Sequence, residues 1–414
     1  MPEEDLDFKR MDTITHGIAG ALIGKALCSG DNMFPPKPMS RARIVTWALM
    51  AGAIFPDSDV LRDIFSRNDL LMITWHRSLT HSLLLLPLFS LLLAALTQWI
   101  ARRLEWDAPP FATLTTVYAV GILSHILLDL VTTFGTMVWS PLAWTRPAWD
   151  LIFIVDFSFT GILLIPQLLA WVHRDPMRAQ RRAVLLWMLF IPATFAIAAI
   201  ARIVGAPIST PAIWIAIITF SVLFLLPAFR GWGARVGLAT WNRAGLVGAC
   251  AYLALAVFAH HKALERVRKF AEFQGVRSDS IAALPLPPSL WNWDGLIRAP
   301  RGVYELRMDL SQPSGIPDST NAARGSDAGF TYKYFPDAPA NRLIQQARQL
   351  PEVQKVLWFD RFPVTRFHQE GAVSVVEIVD LRFPAIRPDR PASFTYRVRF
   401  DAAGKVLSQG WVRE

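Results

Sequence analysis

Six stretches of this chain, 79–100, 112–134, 151–172, 183–201, 211–229 and 244–259, carry little or no charge. Their lengths approach or exceed the roughly 20 residues that a helix needs to cross a hydrocarbon core. In lipid, backbone polar groups find no water, so such runs are expected as spanning helices. Two earlier apolar runs, "TITHGIAGALIG" at 13–24 and "IVTWALMAGAIF" at 44–55, are too short to cross alone and are expected to form an N-terminal membrane hairpin. At 53% hydrophobic and 18% charged over 414 residues, the whole is too apolar for a soluble domain and too polar to lie wholly in lipid.

The texture changes near position 262. Beyond it "LERVRKFAEFQG" leads through "LPLPPSLWNW" into alternating sequence. Tyr304, Leu306, Met308 and Leu310 alternate with Glu305, Arg307 and Asp309, and "FTYRVRF" at 394–400 repeats the pattern, as half-buried strands do. "DAPANRLIQQARQLPEVQKVLWF" reads as a helix feeding a strand. The expected fold is therefore mainly α: a polytopic helical membrane domain over 11–262, followed by a small α+β domain over 270–414 outside the membrane.

The opening "MPEEDLDFKR" is acidic and polar, so no cleavable signal is expected, and Met11 is a candidate start. The two cysteines, Cys28 and Cys250, have no metal-ligand or disulfide spacing, so any metal would rely on His and carboxylate. The net charge of +9 is concentrated in short inter-helix loops, where the bias of Lys and Arg toward the cytoplasmic side explains it without nucleic acid. If every segment spans, Lys25, Lys37, Arg102, Arg103 and the arginines of 174–182 share the cytoplasmic side. The C-terminal domain then falls in the periplasm of a bacterial inner membrane.

Threading the histidines and aspartates through that topology brings them to one face. His16 begins the first segment, Asp57 and Asp59 close the second, and His76 and His81 open the third. His125 and Asp129 occupy the returning half of the fourth, and Asp150 and Asp156 precede or open the fifth. His125 and Asp129 are four apart, so on a helix they share one face within about 6 Å and suit a common ion. His76 and His81, five apart, stand roughly 140° apart on a regular helix and would not chelate together. Ser78 is a candidate helix cap that leaves His76 in a loop and His81 in a first turn. In "FPDSD" the two carboxylates point the same way if the backbone is extended. Each histidine also has a structural reading as a packed, hydrogen-bonded residue, and it is the convergence of the set that favours a site. His173, His260, His261 and His368 lack such company, as do Asp31, Asp63 and Asp69.

Imidazole with carboxylate suits Zn or a related divalent transition metal, whose bound water becomes acidic enough to serve as nucleophile. Arg77 is placed to clamp an anionic substrate oxygen. "MDTITHGIAGALIGKAL", "FPDSD", "HRSLTHSLLL" and "SHILLDLVTTFGTMVWSP" resemble successive signatures of the YdjM-like, inner-membrane-bound metal-dependent hydrolases over residues 11–160, and "PPSLWNWDGLI" is similar to the tail of longer members. That family is distantly similar to the zinc-dependent phospholipase C and P1-type nuclease group. The resemblance implies phosphoester hydrolysis, with His16, Asp57, His81, His125 and Asp129 matching the group's ligands, while His76 and Asp59 match the membrane family only. The expected activity is hydrolysis of a phosphoester or other ester of a lipid-like substrate at the bilayer surface, with Asp59, His76 and Arg77 as catalytic candidates. The competing expectation is an ion- or proton-coupled transporter, or a membrane scaffold, using the same cluster.

Overall fold

The structure is a computed structural model of the chain. It describes residues 3–28, 40–62, 66, 68–203, 208–276, 278, 280–287, 289–313, 330–383 and 394–412. Asp31, Lys37 and Asp63 lie outside the described residues. Eleven helices are numbered here: α1 Glu3–Leu27, α2 Arg41–Ile54, α3 Leu71–Thr74, α4 Leu86–Arg103, α5 Phe111–Leu130, α6 Phe157–His173, α7 Ala179–Ile203, α8 Thr210–Phe229, α9 Leu238–Phe273, α10 Arg342–Gln349 and α11 Pro351–Phe359. Two four-stranded antiparallel sheets follow α9, in the order β1-β2-β3-β4 (Ile281–Leu286, Asn292–Ala299, Gly302–Asp309, Phe330–Pro336) and β5-β6-β7-β8 (Pro363–Glu370, Val373–Asp380, Thr395–Phe400, Val406–Trp411), with α10 and α11 between them.

Among the described residues, four helical segments are long and apolar enough to cross a membrane: Phe111–Leu130, Pro176–Arg202, Thr210–Phe229 and Leu238–Phe273. A fifth crossing is available from Leu71–His81 with Leu86–Arg103, a pair bent by 71°. The expected span at 151–172 is the shorter apolar helix Phe157–His173. Leu185, Met188 and Leu189 on α7, and Ile215 and Ile218 on α8, stand exposed, as lipid-facing side chains do.

The chain forms two compact units that cut it differently from a boundary at 262. One comprises 1–55, 87–125 and 157–252, the other 56–86, 126–156 and 253–414. The division passes through the continuous helices α5 and α9, so each belongs to both units.

In the first unit, small residues set the helix crossings. A Cβ on Gly20 of α1 would stand 2.7 Å from the Leu49 carbonyl oxygen of α2, and a Cβ on Gly121 of α5 would meet the same oxygen at 2.7 Å. Both helices therefore approach α2 at backbone distance, the close packing that membrane helices use where burial from water gives no drive. His16 lies one turn before Gly20 and His125 one turn after Gly121. Replacing Gly121 by Leu is expected to push α5 off α2 and lower folded yield in detergent; wild-type yield and melting temperature would refute this packing role.

In the second unit, α9 runs past 262 without a break. Ala263, Val267 and Phe270 in its last turns pack on Ala283, Trp293, Ile297, Leu306 and Met308 of the first sheet. The texture change marks where this helix leaves lipid-like composition for an amphipathic one, and the helix itself continues. The two sheets share a core in which Leu284, Leu296 and Val303 meet Phe362, Val364 and Val379. Leu70, Ile73 and Phe134, from segments between the membrane helices, join a core with Val353, Val356, Phe359, Ile378 and Phe400. The inter-helix loops and the second sheet are thus one folded body.

That core holds an unusual acid. Burial and the neighbouring Asp380 carboxylate push the Asp360 pKa up to about 9, against the opposing pull of Arg382. Ionised, neither oxygen finds a donor; protonated, the acid can donate to Asp380. An Asp in the unfolded chain releases its proton near 3.9. Between that pH and about 9 the folded state holds a proton the unfolded chain has lost, so stability falls as pH rises across the window. Asp360→Asn should flatten this dependence and gain most over wild type toward pH 9, read from melting temperatures between pH 5 and 9. Parallel curves for the two proteins would contradict it.

Candidate metal centre

The "FPDSD" segment is a 3₁₀ turn, Phe55–Val60, continuing directly from α2. It is not extended, and its two carboxylates reach the His81 ring at different nitrogens, Asp59 Oδ2 lying 3.5 Å from Nδ1. Asp59 is buried and faces His76, whose Nδ1–H donates to Oδ1 at 2.9 Å. The Arg77 backbone N–H donates to Asp59 Oδ2 at 3.0 Å, and the Thr80 hydroxyl donates to the same oxygen at 3.2 Å. Asp57 Oδ1 instead lies 3.7 Å from His81 Nε2. A tight turn rotates alternate side chains apart, which an extended reading could not anticipate.

The stretch from His76 to His81 is likewise not the start of a regular helix. His76 follows the single turn α3, and Leu79–His81 is a 3₁₀ turn for which Ser78 makes no side-chain cap. Arg77 adopts a positive φ of 61°, a conformation that costs a non-glycine residue of order 1–3 kcal/mol. Its neighbours hold it there: besides its N–H on Asp59, its carbonyl accepts from the Met137 N–H at 2.9 Å. The result brings both rings to Asp59, His76 at Oδ1 and His81 at Oδ2, with the rings 5.9 Å apart and edge-on.

Hydrogen bonds fix which imidazole nitrogen is available. Thr80 has one hydroxyl proton and gives it to Asp59, so at 3.0 Å from His81 Nδ1 it accepts. His81 Nε2 is then the nitrogen turned to the acids, 3.1 Å from Asp129 Oδ2. Two ligand atoms on a tetrahedral zinc stand about 3.3 Å apart, from bond lengths of about 2.0–2.1 Å. His125 repeats the device, since its Nδ1–H donates to the Ala53 carbonyl at 2.6 Å. This outer bond to a carbonyl is the usual accompaniment of a metal-binding histidine.

His125 and Asp129 occupy the last turns of α5. His125 stacks on His16 with ring centroids 3.8 Å apart. Asp129 is fully buried, 3.0 Å from Arg77 Nη2 as well as close to His81. Among the described residues, two groups offer ligand atoms within 4.8 Å of one another: His16, His125 and Asp129, and Asp57, His81 and His125. The donor set of imidazole and carboxylate, with Nδ1 occupied on two histidines, fits a divalent transition metal.

Arg77 is 2% exposed and committed to this frame, with Nη1 also donating to Thr132 Oγ1 at 3.0 Å. Its guanidinium orients Asp129. Sequence reasoning missed Thr80, Thr132 and Arg146, which carry no motif of their own and become legible only through their partners. Asp150 is taken by Arg361, with two contacts at 2.9 and 3.0 Å. His173 is buried against Trp241, His260 packs near Trp293, and His368 is exposed beside Glu370.

This constellation lies wholly within the part of the chain that a known family describes. Residues 11–205 match the YdjM inner membrane protein family. The match spans just under half of the 414 residues and takes in every residue of the centre. No curated protein and no solved structure matches the chain. The YdjM description of an inner membrane protein agrees with the apolar helices, which point to a multi-pass protein in a lipid bilayer.

Proposed function

We propose that the protein is a membrane-embedded metal-dependent hydrolase acting on a phosphoester or other ester of a lipid-like substrate. The observation that carries this reading is that His81 and His125 both have Nδ1 engaged and both fall within groups whose His and Asp ligand atoms lie within 4.8 Å of one another. A divalent transition metal, most simply Zn, would be held by His16, Asp57, His81, His125 and Asp129, and would supply Lewis acidity and an acidified water.

The remaining residues divide the other tasks. His76 has its Nδ1 proton on Asp59 and its side chain 11% exposed, so Nε2 is the atom that takes or returns a proton to the reacting group. Asp59, held by donors from His76, Arg77 and Thr80, fixes the ring and stabilises its protonated form, the part a buried carboxylate plays behind a histidine base. Arg77 positions Asp129. The exposed apolar helices favour an amphiphilic substrate, and the loop charges favour a periplasmic centre. The chemistry would resemble that of zinc-dependent phospholipase C and P1-type nucleases.

The test is metal content after purification together with hydrolysis of a chromogenic phosphodiester and of phosphodiester lipids in detergent. Near-stoichiometric Zn or Mn, and turnover removed by a chelator and restored by metal, are expected. Metal-free protein with no hydrolysis would instead promote an ion- or proton-coupled transporter built on the same His and Asp groups.

A further inference from the structure

The second unit contains a stack in which three guanidinium groups alternate with three phenyl rings. Arg77 lies 5.2 Å from the Phe134 ring centroid, Arg146 4.7 Å from Phe134 and 5.3 Å from Phe359, and Arg382 4.6 Å from Phe359 and 5.0 Å from Phe383. All are within the roughly 6 Å over which a cation is attracted to a ring face. One end is the Arg77–Asp129 pair; the other is anchored in the second sheet. Nε and Nη2 of Arg382 reach Asp380 Oδ2 at 2.7 and 2.6 Å, and Nη2 donates to the Phe359 carbonyl at 2.7 Å. Its Nη1 reaches back to the Thr133 carbonyl at 3.4 Å.

The middle of the stack is held by backbone carbonyls. Arg146 donates to the carbonyls of Ile73 and Gly135 at 2.7 and 3.1 Å. The segment 129–135 is thereby gripped twice: Arg77 holds Asp129 and Thr132, while Arg382 holds Thr133 and, through Phe359 and Arg146, the ring of Phe134. A planar guanidinium held over ring faces and hydrogen-bonded through its fork keeps one place, which a flexible ammonium does not.

We infer that Arg382, more than 200 residues from the histidines in sequence, is a positioning residue for the metal centre, setting the Arg77–Asp129 geometry through the Phe359–Arg146–Phe134 stack. This rests on the proposed metal centre and deepens it: the C-terminal sheet is a working part of the site.

The test uses the full-length protein loaded with Co²⁺, with affinity read by chelator competition and ligand geometry by visible absorption. Arg382→Lys keeps the charge and loses the plane. Arg382→Met combined with Asp380→Asn removes the arginine without stranding a buried carboxylate. Both are expected to weaken Co²⁺ affinity by about 10–100-fold, the usual effect of losing an outer partner, and to shift the visible bands. Ile378→Ala loosens the same core and replaces no member of the stack, and should lower the melting temperature while leaving affinity and bands unchanged. Wild-type affinity and spectrum in both arginine variants overturns the positioning role and leaves the metal centre standing. A change in Ile378→Ala equal to theirs also overturns it, by assigning the effect to general loosening. Wild-type protein that takes up no Co²⁺ overturns the metal-centre reading and this inference together.

Discussion

Asp129→Asn protein is expected to purify folded, without metal and without hydrolytic activity. Asp129 faces both the His81 Nε2 and the Arg77 guanidinium, and it is fully sealed from solvent. An amide keeps the shape and still accepts from Arg77, but cannot offer an anionic ligand atom. Asp129→Ala should be worse for a second reason: it leaves the Arg77 guanidinium buried without its counter-ion, a change that typically costs 3–5 kcal/mol. The pair therefore separates ligand loss from misfolding. Elemental analysis and turnover on a phosphodiester lipid report the outcome, and an Asn variant with full metal and full turnover would sink the assignment.

His76→Ala is expected to retain its metal and lose turnover by about two to four orders of magnitude, the usual contribution of a positioned acid or base. Asp59→Asn should do comparable damage, because an amide accepts from His76 without stabilising its protonated ring. If Asp59 acts through His76, the double variant should be little worse than either single one, as groups working as a unit are strongly non-additive. Losses that multiply in the double variant would mean separate roles. Metal loss in His76→Ala would move that histidine into the ligand set.

Much of the centre's location was readable from residue order. The lengths of the apolar runs gave helices, and the turn count gave the depth at which each polar group emerges. The His125 and Asp129 spacing on a helix required no tertiary information, since a four-residue step returns to the same face. The roles were harder to read. Which atoms Asp57 and Asp59 meet depends on the backbone between them, and the chain chose a 3₁₀ turn that sets Asp57 at His81 Nε2 and Asp59 between His76 and the Nδ1 side of His81. Arg77 looked placed to meet substrate, yet its positive φ and its bonds to Asp129 and Thr132 turn it inward.

What the sequence determined by itself is the membrane character, the order of the helices, the alternating strands beyond 280 and the set of residues able to hold a metal, because each follows from local composition and period. What only the tertiary structure decided is which imidazole nitrogen faces inward, which carboxylate orients a histidine and which can ligate, and that Arg382 of the second sheet stacks toward the site. Those depend on single hydrogen bonds and ring contacts between residues far apart in the chain, such as Ala53 with His125 and Phe134 with Phe359. No spacing rule encodes them, since their geometry exists only once glycine crossings and the shared core have brought the segments together.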